Sequence, residues 1–389
     1  NFDPAVSMSK RYVGGEYNYN YYARDAEVHN SRDSLRYAVA LLDSYDDAYL
    51  DRAQAIIRRV IALQVDDPAH EHYGVWPWLM EEPVGEGPYV DRNTADFCGK
   101  ELLHVLTYHR ARIDAEVAAE AEASLRRAVE AIRIRNVGPG YTNIAVMGAL
   151  VTLLSGEALD DAAIVARGVE RVRTLHAYTK TTGTFDEYNS PTYTMVALQD
   201  LATLRQHVRH PEAMAMVEDL YRVAWETVAQ HFHPATRQWV GPSSRNYSVF
   251  NSEDTLRFIE RWTGPAVDFG YGEQQPDPAW AYMDARCPED LERLMAGLDA
   301  PRTLVQTVKA SGALPRSDAF AVVVEQIHVQ SKLIGRQAYV RHHKRVVRHA
   351  LECRTKHRRP SSHDHTGSMA SRPLAQIQER RAERSPFDE

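Results

Sequence analysis

The sequence predicts an all-α protein, and more specifically an (α/α) toroid, which is a complete or incomplete ring of helical hairpins. Apolar residues recur at the three- and four-residue spacing of amphipathic helices through most of the chain, whereas the alternation typical of strands is scarce. Hydrophobic residues make up 44% and charged residues 25% of the 389 positions, as in folded globular proteins. Long loops before every second helix indicate the ring arrangement.

The apolar periodicity predicts the following helices in order along the chain. The clearest patterns fall at 35–42, 50–61, 102–106, 113–132, 146–153, 165–175, 195–208 and 217–228. Weaker patterns predict further helices near 252–263, 288–297 and 301–310.

Two kinds of helix alternate in this series. Helices that begin near residues 31, 96, 143, 191 and 252 follow long loops rich in Gly, Pro, Tyr and Asn, and those near 47, 113, 160 and 212 follow short turns. We therefore expect parallel inner helices that gather their N-termini and the long loops at one rim, with outer helices completing each hairpin. An α-solenoid is the competing architecture, and it would not collect the long loops on one side.

The charge is unevenly distributed along the chain. The formal net charge is −7, yet Lys and Arg outnumber Asp and Glu after Ser331, and Tyr339 is the only tyrosine in that segment. This shift predicts a toroid catalytic domain over residues 1–325 and a basic, weakly ordered tail over 326–389. Because no aromatic residues interleave with the basic clusters of the tail, we expect no nucleic-acid partner.

Cysteine usage and hydropathy exclude two further classes of protein. Cys98, Cys287 and Cys353 are far apart and form no C-x-x-C pair, so neither a zinc site nor a disulfide framework is predicted. No apolar run reaches the roughly 18 residues that a membrane helix requires, so no membrane partner is expected. The sequence leaves the oligomeric state open, and it does not distinguish a cytoplasmic from a periplasmic or secreted protein.

The most informative segment is 183–193, with the sequence Gly-Thr-Phe-Asp-Glu-Tyr-Asn-Ser-Pro-Thr-Tyr. Ser190 is a suitable N-cap and Pro191 suits the first position of the helix that follows. Tyr193 then falls in the first helical turn, where free N–H groups and the positive end of the helix dipole attract anions. A phenol placed there is a candidate acid or base for an anionic substrate, although a buried tyrosine that closes the loop fits the same pattern.

The ring arrangement predicts that four separate segments meet at one rim. Loops on a rigid helical scaffold often carry sites, so their polar residues are the candidates. They are Asn93 and Asp96, then Asn143, then Glu187, Tyr188, Asn189 and Tyr193, and finally Arg245 and Tyr247. Trp76 and Trp78 are candidate platforms for sugar rings, although each also fits ordinary packing.

Segment 183–193 resembles the D-G-x-x-x-E-x-S-P-x-Y-H stretch of heparinase II/III-type and related alginate polysaccharide lyases, and the resemblance covers about residues 90–260. It implies an (α/α) toroid in which Tyr193 acts as base or acid and Asn143 neutralises a uronate carboxylate. Thr194 stands where that family has a histidine, and Thr182 replaces the leading aspartate. The chain also resembles uncharacterised bacterial and fungal proteins through its Trp-Pro-Trp and Asn-Thr-Ala-Asp-Phe segments.

The resemblance predicts a polysaccharide lyase that cleaves a uronic-acid-containing glycan by β-elimination. Asn143 and Arg245 would stabilise the enolate that forms when the C5 proton leaves. Tyr193 would take that proton or protonate the leaving O4, with Tyr188 or Tyr247 as its partner. We expect the guanidinium and the helix N-terminus to lower the pKa of Tyr193.

Two alternatives remain open from the sequence. A glycoside hydrolase on the same toroid would use Glu187 as acid and Asp96 as base. A non-catalytic helical scaffold would bind a partner or a sugar and would show scattered polar groups at the rim. The histidine pairs at 70–72 and 231–233 lack further ligands nearby in the sequence, so we predict no metal and no cofactor, and a polysaccharide or oligosaccharide as the partner.

Overall fold

The computed structural model describes residues 1–14, 25–87, 89–241, 243–247, 250–265, 267–272 and 280–297, together with the backbone of four strands between 306 and 343. A compact unit spans Asn1–Val346. The predicted basic tail, 326–389, falls mostly outside the described residues, so its weak order stays a prediction.

The described residues form ten α-helices, two short 3-10 helices (Asp47–Tyr49 and Pro234–Thr236) and nine short strands. The helices are α1 (Ser31–Asp43), α2 (Leu50–Ile61), α3 (Thr94–Tyr108), α4 (Ala115–Arg135), α5 (Thr142–Ala158), α6 (Ala162–Thr182), α7 (Tyr193–His207), α8 (Pro211–His231), α9 (Glu253–Trp262) and α10 (Glu289–Ala296). The strands are β1 (Phe2–Asp3), β2 (Met8–Val13), β3 (Ala26–His29), β4 (Phe232–His233), β5 (Gln238–Trp239), β6 (Gln306–Lys309), β7 (Ala321–Val324), β8 (His328–Ile334) and β9 (Gln337–His343).

Consecutive helices pair as hairpins, namely α1 with α2, α3 with α4, α5 with α6, and α7 with α8. The first helices of these hairpins, α1, α3, α5 and α7, also pack against one another in that order, while α2 contacts α4 and α6 contacts α8. The first helices therefore form an inner layer and the second helices an outer one. The prediction of an all-α fold built from helical hairpins is confirmed.

The inner helices run parallel, as predicted. At one end, Asn93 Nδ2 before α3 donates to Tyr141 OH before α5 over 3.4 Å, and the N–H of Asn143 in α5 donates to Glu187 ahead of α7 over 2.8 Å. At the other end, Asp43 at the end of α1 contacts His104 near the end of α3. The N-termini of α3, α5 and α7 thus share one rim.

Burial explains which helices lie inside. Every residue of α5 from Thr142 to Gly156 is buried, so this helix is apolar around its whole circumference and occupies the centre of the layer. Gly156 and Gly168 let the backbones of α5 and α6 approach closely. A Cβ on Gly168 would lie 2.5 Å from Leu153 Cα, and one on Gly156 would lie 2.5 Å from the Val165 nitrogen.

Local sequence signals set the helix ends. The Asn30 side chain caps α1 by accepting the Asp33 N–H over 2.9 Å, and the Asp161 side chain caps α6. Asn136 ends α4 in the left-handed conformation with φ 46°, and Gly183 ends α6 with φ 77°. These are the residue types that tolerate a positive φ most readily.

Three weaker expectations have different outcomes. The helices near 252–263 and 288–297 are confirmed as α9 and α10. The prediction of a helix near 301–310 is wrong, because residues 306–309 form β6, which pairs antiparallel with β7. Strands that the sequence patterns do not predict also lie in the basic tail, where β8 and β9 pair antiparallel from His328 to His343. Two-stranded hairpins are short, so their alternation spans too few residues to be distinct from neighbouring loops.

The N-terminal three-stranded antiparallel sheet, in the order β1, β2, β3, is a further element that the helical periodicity does not predict. Across the described part of the chain, none of the helices combines the length and the apolar character needed to cross a bilayer.

Candidate active site

The loop before α7 is held by the residues that its sequence indicates. Ser190 acts as a cap, because the Tyr193 N–H donates to Ser190 Oγ over 3.1 Å. The regular helix begins at Tyr193, two residues later than Pro191. Asn189 has a left-handed φ of 48°, and its side-chain amide donates to the Val240 carbonyl over 2.8 Å. Tyr193 is therefore fixed in the first turn of α7, as predicted.

Arg245 is the centre of the rim cluster, which comprises Glu187, Tyr193, Arg245 and Tyr247. Its Nη1 donates to Glu187 Oε1 over 2.6 Å. Its Nη2 lies 2.9 Å from Tyr193 OH and 3.4 Å from Tyr247 OH, and the two hydroxyls are 2.7 Å apart. The guanidinium carbon also stands 4.2 Å from the centroid of the Tyr193 ring, within cation–π range.

Glu187 anchors this cluster to the inner helices. Its side chain is buried, Oε1 accepts from Arg245, and Oε2 accepts the backbone N–H of Asn143 over 2.8 Å. Burial raises the pKa of Glu187, while the Asn143 N–H and the Arg245 charge favour the carboxylate. One oxygen thus holds Arg245 and the other holds the Asn143 N–H, so both are engaged within the protein and neither is placed to protonate a glycosidic oxygen.

The two phenols of the rim cluster differ in acidity. Burial and the hydrogen bond to Tyr247 raise the pKa of Tyr193, although the Arg245 charge opposes this. Hydrogen bonds from Tyr193 and Arg245 lower the pKa of Tyr247, which is 65% exposed. The expectation of a lowered pKa at Tyr193 is therefore wrong. The more accessible phenolate belongs to Tyr247, because Tyr247 accepts two hydrogen bonds while facing solvent.

Asn143 lies beside the rim cluster but is only 3% exposed. Its contact with Glu187 uses the backbone N–H and not the side chain. Its amide oxygen has no hydrogen-bond partner among the described residues. This burial contradicts a direct contact between the Asn143 side chain and a substrate carboxylate in this conformation. Arg245, whose side chain is 43% exposed, is the accessible group for that role.

Several predicted rim residues support the loops instead. Tyr188 points away from the rim cluster, with its hydroxyl 2.6 Å from His231 Nε2, so its role as the partner of Tyr193 is wrong. Asn189 is buried and accepts from Trp239 Nε1, which contradicts substrate binding. Asn93 is buried between Tyr141 and Arg135, and it likewise has no open face for a sugar.

The structure also contradicts the prediction that Trp76 and Trp78 are platforms for sugar rings. Trp76 is 1% exposed and donates from Nε1 to the Val60 carbonyl over 2.9 Å, so it is a core residue. Trp78 is partly buried, donates to Asp91 over 2.9 Å, and has the Arg32 guanidinium 5.3 Å from its ring centroid. Its ring is therefore already in cation–π contact with a side chain of the protein.

Asp96 is 2% exposed in the first turn of α3. Burial raises the pKa of Asp96 to about 7, and the charges of Arg135 and Arg171 moderate this shift. A carboxyl enclosed in this way cannot activate a water molecule beside a glycan. With Glu187 also engaged, the Glu187 and Asp96 pair proposed for a hydrolase is contradicted by the geometry.

A cavity of about 510 Å³ lies between the inner helices and is lined by residues of α1, α3, α5 and α7. Val196 and Met147 belong to its lining. Val196 lies one turn after Tyr193 on α7, and Met147 lies one turn after Asn143 on α5, so each pair shares a helix face. The rim cluster therefore stands at the N-terminal side of this cavity. Its charged and polar lining includes Arg32, Asp33, Arg36, Lys100, Glu101, His104, Tyr108 and His207.

These lining residues are not among the predicted site residues, because most of them lie within the inner helices and not in the loops or at the helix starts. A signal was present in α3, where Phe97, Lys100, Glu101, His104 and Tyr108 recur at spacings of one to four residues on one side. A polar stripe on an inner helix has no place in a hydrophobic core and indicates an internal polar surface.

Comparison with known proteins places this architecture in a family. Residues 2–266 match a family model described as a domain of unknown function (DUF8769). The chain belongs to the DUF8769 family. The DUF8769 match includes α1 to α9, the whole rim cluster and almost all of the cavity lining. Neither a curated protein nor a solved structure matches the chain significantly.

Proposed function

We propose that this protein is a carbohydrate-active enzyme, a polysaccharide lyase that cleaves a uronic-acid-containing glycan by β-elimination at the rim cluster. The observation that supports the proposal most strongly is the position of Arg245, whose Nη2 lies within 3.4 Å of both the Tyr193 and the Tyr247 hydroxyls. One cation beside two phenols provides charge neutralisation and proton transfer within a single site.

Arg245 is the group that would neutralise the uronate carboxylate. The C5 proton of a uronide becomes acidic enough to remove only when the adjacent carboxylate is neutralised, because the intermediate is an enolate. Nη1 is held by Glu187, and the partly exposed face of the guanidinium remains accessible to a ligand. The nearby N-terminus of α7 adds a positive dipole end that also favours an anion.

The phenols have separate roles in this proposal. Tyr247 in its phenolate form takes the C5 proton, since its pKa is lowered and it is exposed. Tyr193 in its neutral form donates its proton to the leaving O4. The C5–H and C4–O4 bonds break and a C4–C5 double bond forms. The proton on Tyr247 then passes to Tyr193 across the 2.7 Å hydrogen bond, which restores the starting state.

The test is a panel of acidic and neutral polysaccharides incubated with the full chain. A lyase produces an unsaturated uronide that absorbs ultraviolet light, together with new reducing ends. Tyr247→Phe is expected to lower turnover about 10²- to 10⁴-fold, since it removes the acid–base group. It should cost at most about 2 kcal/mol of stability, because two exposed hydrogen bonds, to Tyr193 and Arg245, are lost.

Tyr12→Phe is the matched control, because Tyr12 is a strand residue with the same 65% exposure as Tyr247. It should retain full activity. Reducing ends without ultraviolet absorbance would indicate a hydrolase. Turnover that survives in Tyr247→Phe would remove Tyr247 from the mechanism, and tight glycan binding with no turnover on any substrate would favour the binding scaffold.

A further inference from the structure

Three potential metal ligands meet at the C-terminal ends of α1 and α3, away from the rim cluster. Asp43 is the last residue of α1, His104 lies four residues before the end of α3, and His109 directly follows that helix. Asp43 Oδ1 is 3.2 Å from His104 Nε2 and 2.6 Å from His109 Nε2. One candidate ligand atom from each of the three side chains lies within 4.8 Å of the other two.

The cluster is enclosed on one side and open on the other. His109 is fully buried, and the Asp43 side chain is nearly so. Asp43 and His104 both belong to the lining of the 510 Å³ cavity, and the His104 side chain is 20% exposed. A ligand that enters the cavity can therefore reach the cluster from the His104 side.

We propose that Asp43, His104 and His109 bind a divalent transition-metal ion, with Zn²⁺ as the reference ion. Imidazole nitrogens favour Zn²⁺ and similar ions over Mg²⁺ or Ca²⁺, which prefer oxygen ligands. Two imidazoles and one carboxylate form a three-ligand set, and three protein ligands with a fourth open position are typical of catalytic zinc sites. In this site the open position faces the cavity.

One of the two measured distances fits such an ion, and the other requires a small rearrangement of the His109 and Asp43 side chains. Tetrahedral zinc with bonds of about 2.0–2.1 Å holds its ligand atoms roughly 3.4 Å apart. The 3.2 Å separation of Asp43 and His104 is close to this value, and the 2.6 Å separation from His109 must widen by about 1 Å. The carboxy-terminal ends of α1 and α3 carry partial negative charge, which favours a cation at this end of the inner layer.

Aromatic rings fix the orientation of both imidazoles. The Tyr282 ring contacts the His104 ring edge-to-face at 5.3 Å, and the Tyr45 ring contacts the His109 ring at 5.6 Å. These ring contacts restrict both imidazoles, while His109 Nδ1, the nitrogen that usually donates a second orienting hydrogen bond in a metal site, has no partner among the described residues. The alternative is a site without an ion. In that case, each imidazole donates an N–H hydrogen bond to the Asp43 carboxylate.

The experiment titrates the full chain, freed of metal by a chelator, with Co²⁺ and then with Zn²⁺. The site should take one Co²⁺ per chain, give the visible absorption of four-coordinate cobalt, and lose it when Zn²⁺ displaces the ion. His104→Gln should lower the affinity at least about tenfold, because loss of even a secondary partner of a metal ligand costs about 10- to 100-fold. Zn²⁺ should raise the melting temperature of the parent protein more than that of this variant.

His176→Gln is the matched control, since His176 Nε2 is 2.8 Å from Asp219 on the outer helices, where the cation Lys180 is the second partner of that carboxylate at 3.2 Å. This variant should bind Co²⁺ as the parent does. Absence of stoichiometric Co²⁺ binding, or equal affinity in the parent and in a folded His104→Gln, would overturn the proposal and leave the double hydrogen bond to Asp43. The readout is independent of glycan cleavage, so its failure says nothing against the lyase proposal.

Discussion

The burial of Asp96 has a measurable consequence for stability. A Cβ on Gly148 would lie 2.9 Å from Asp96 Oδ1 and 2.6 Å from Arg171 Nη2, so the absence of a side chain at Gly148 makes room for both groups. Burial raises the pKa of Asp96 from 3.8 to about 7 in spite of the positive charges of Arg135 and Arg171. The folded state therefore holds this proton more tightly than the unfolded chain does.

The sign and size of the effect follow from that pKa. Asp96 contributes most to stability below about pH 4, where it is protonated in both states, and this contribution is lost as the pH rises through about 7. A tenfold change in proton affinity corresponds to about 1.4 kcal/mol, so ionisation of Asp96 costs the folded state on the order of 4 kcal/mol. Asp96→Asn removes the titrating group and should remove this loss.

The measurement is urea denaturation of the parent protein and of Asp96→Asn at several values between pH 4 and pH 8. The difference in unfolding free energy between the two should shift in favour of the variant by up to about 4 kcal/mol as the pH rises. Asp51→Asn is the control, because Asp51 is an exposed carboxylate in the first turn of α2. Parallel pH profiles for the parent and Asp96→Asn would refute the reasoning.

Two further predictions concern the packing of the inner layer. Gly168→Ala should destabilise the protein by about 1–3 kcal/mol in urea denaturation, because the new Cβ would lie 2.5 Å from Leu153 Cα. Gly99→Ala is the control, and its free energy of unfolding should stay within about 1 kcal/mol of the parent's, since the new Cβ would meet only side-chain methyl groups at 3.1 Å or more. Equal effects of the two substitutions would contradict the packing argument. Lys100→Met should lower the free energy of unfolding by about 3–5 kcal/mol, because it leaves the fully buried carboxylate of Asp200 without its cation. A thermal-unfolding profile like that of the parent would show that this ion pair is dispensable.

The sequence was sufficient to predict the helical hairpins and the shared rim. The apolar period of α2 and the Ser190 cap of α7 are local features, and local features are what sequence patterns record. The positions of Tyr193, Arg245 and Glu187 near one another follow from the parallel inner helices. Their chemical activity as a lyase remains a prediction.

The sequence could not predict the details that depend on three-dimensional neighbours. Whether Trp76 is a platform or a core residue is decided by its contact with Val60, which no pattern encodes. Asp43 and His104 are distant in sequence, so no motif search connects them. The order of acidity in the Tyr193 and Tyr247 pair depends on which hydroxyl is exposed, and that is set by a loop that follows α8.

That loop has a consequence for how the site is assembled. Arg245 and Tyr247 lie on a segment that contacts the α7 loop through Ser244, whose N–H donates to the Tyr188 carbonyl over 2.9 Å, and through Ser190 Oγ, which is 3.4 Å from the Arg245 carbonyl. A few part-buried hydrogen bonds between loops open far more readily than the packed helices. Detachment of this short segment would separate the cation and one phenol from the other phenol while every helical hairpin stays folded. Loss of the rim cluster and loss of the helical fold are then distinct events in this protein.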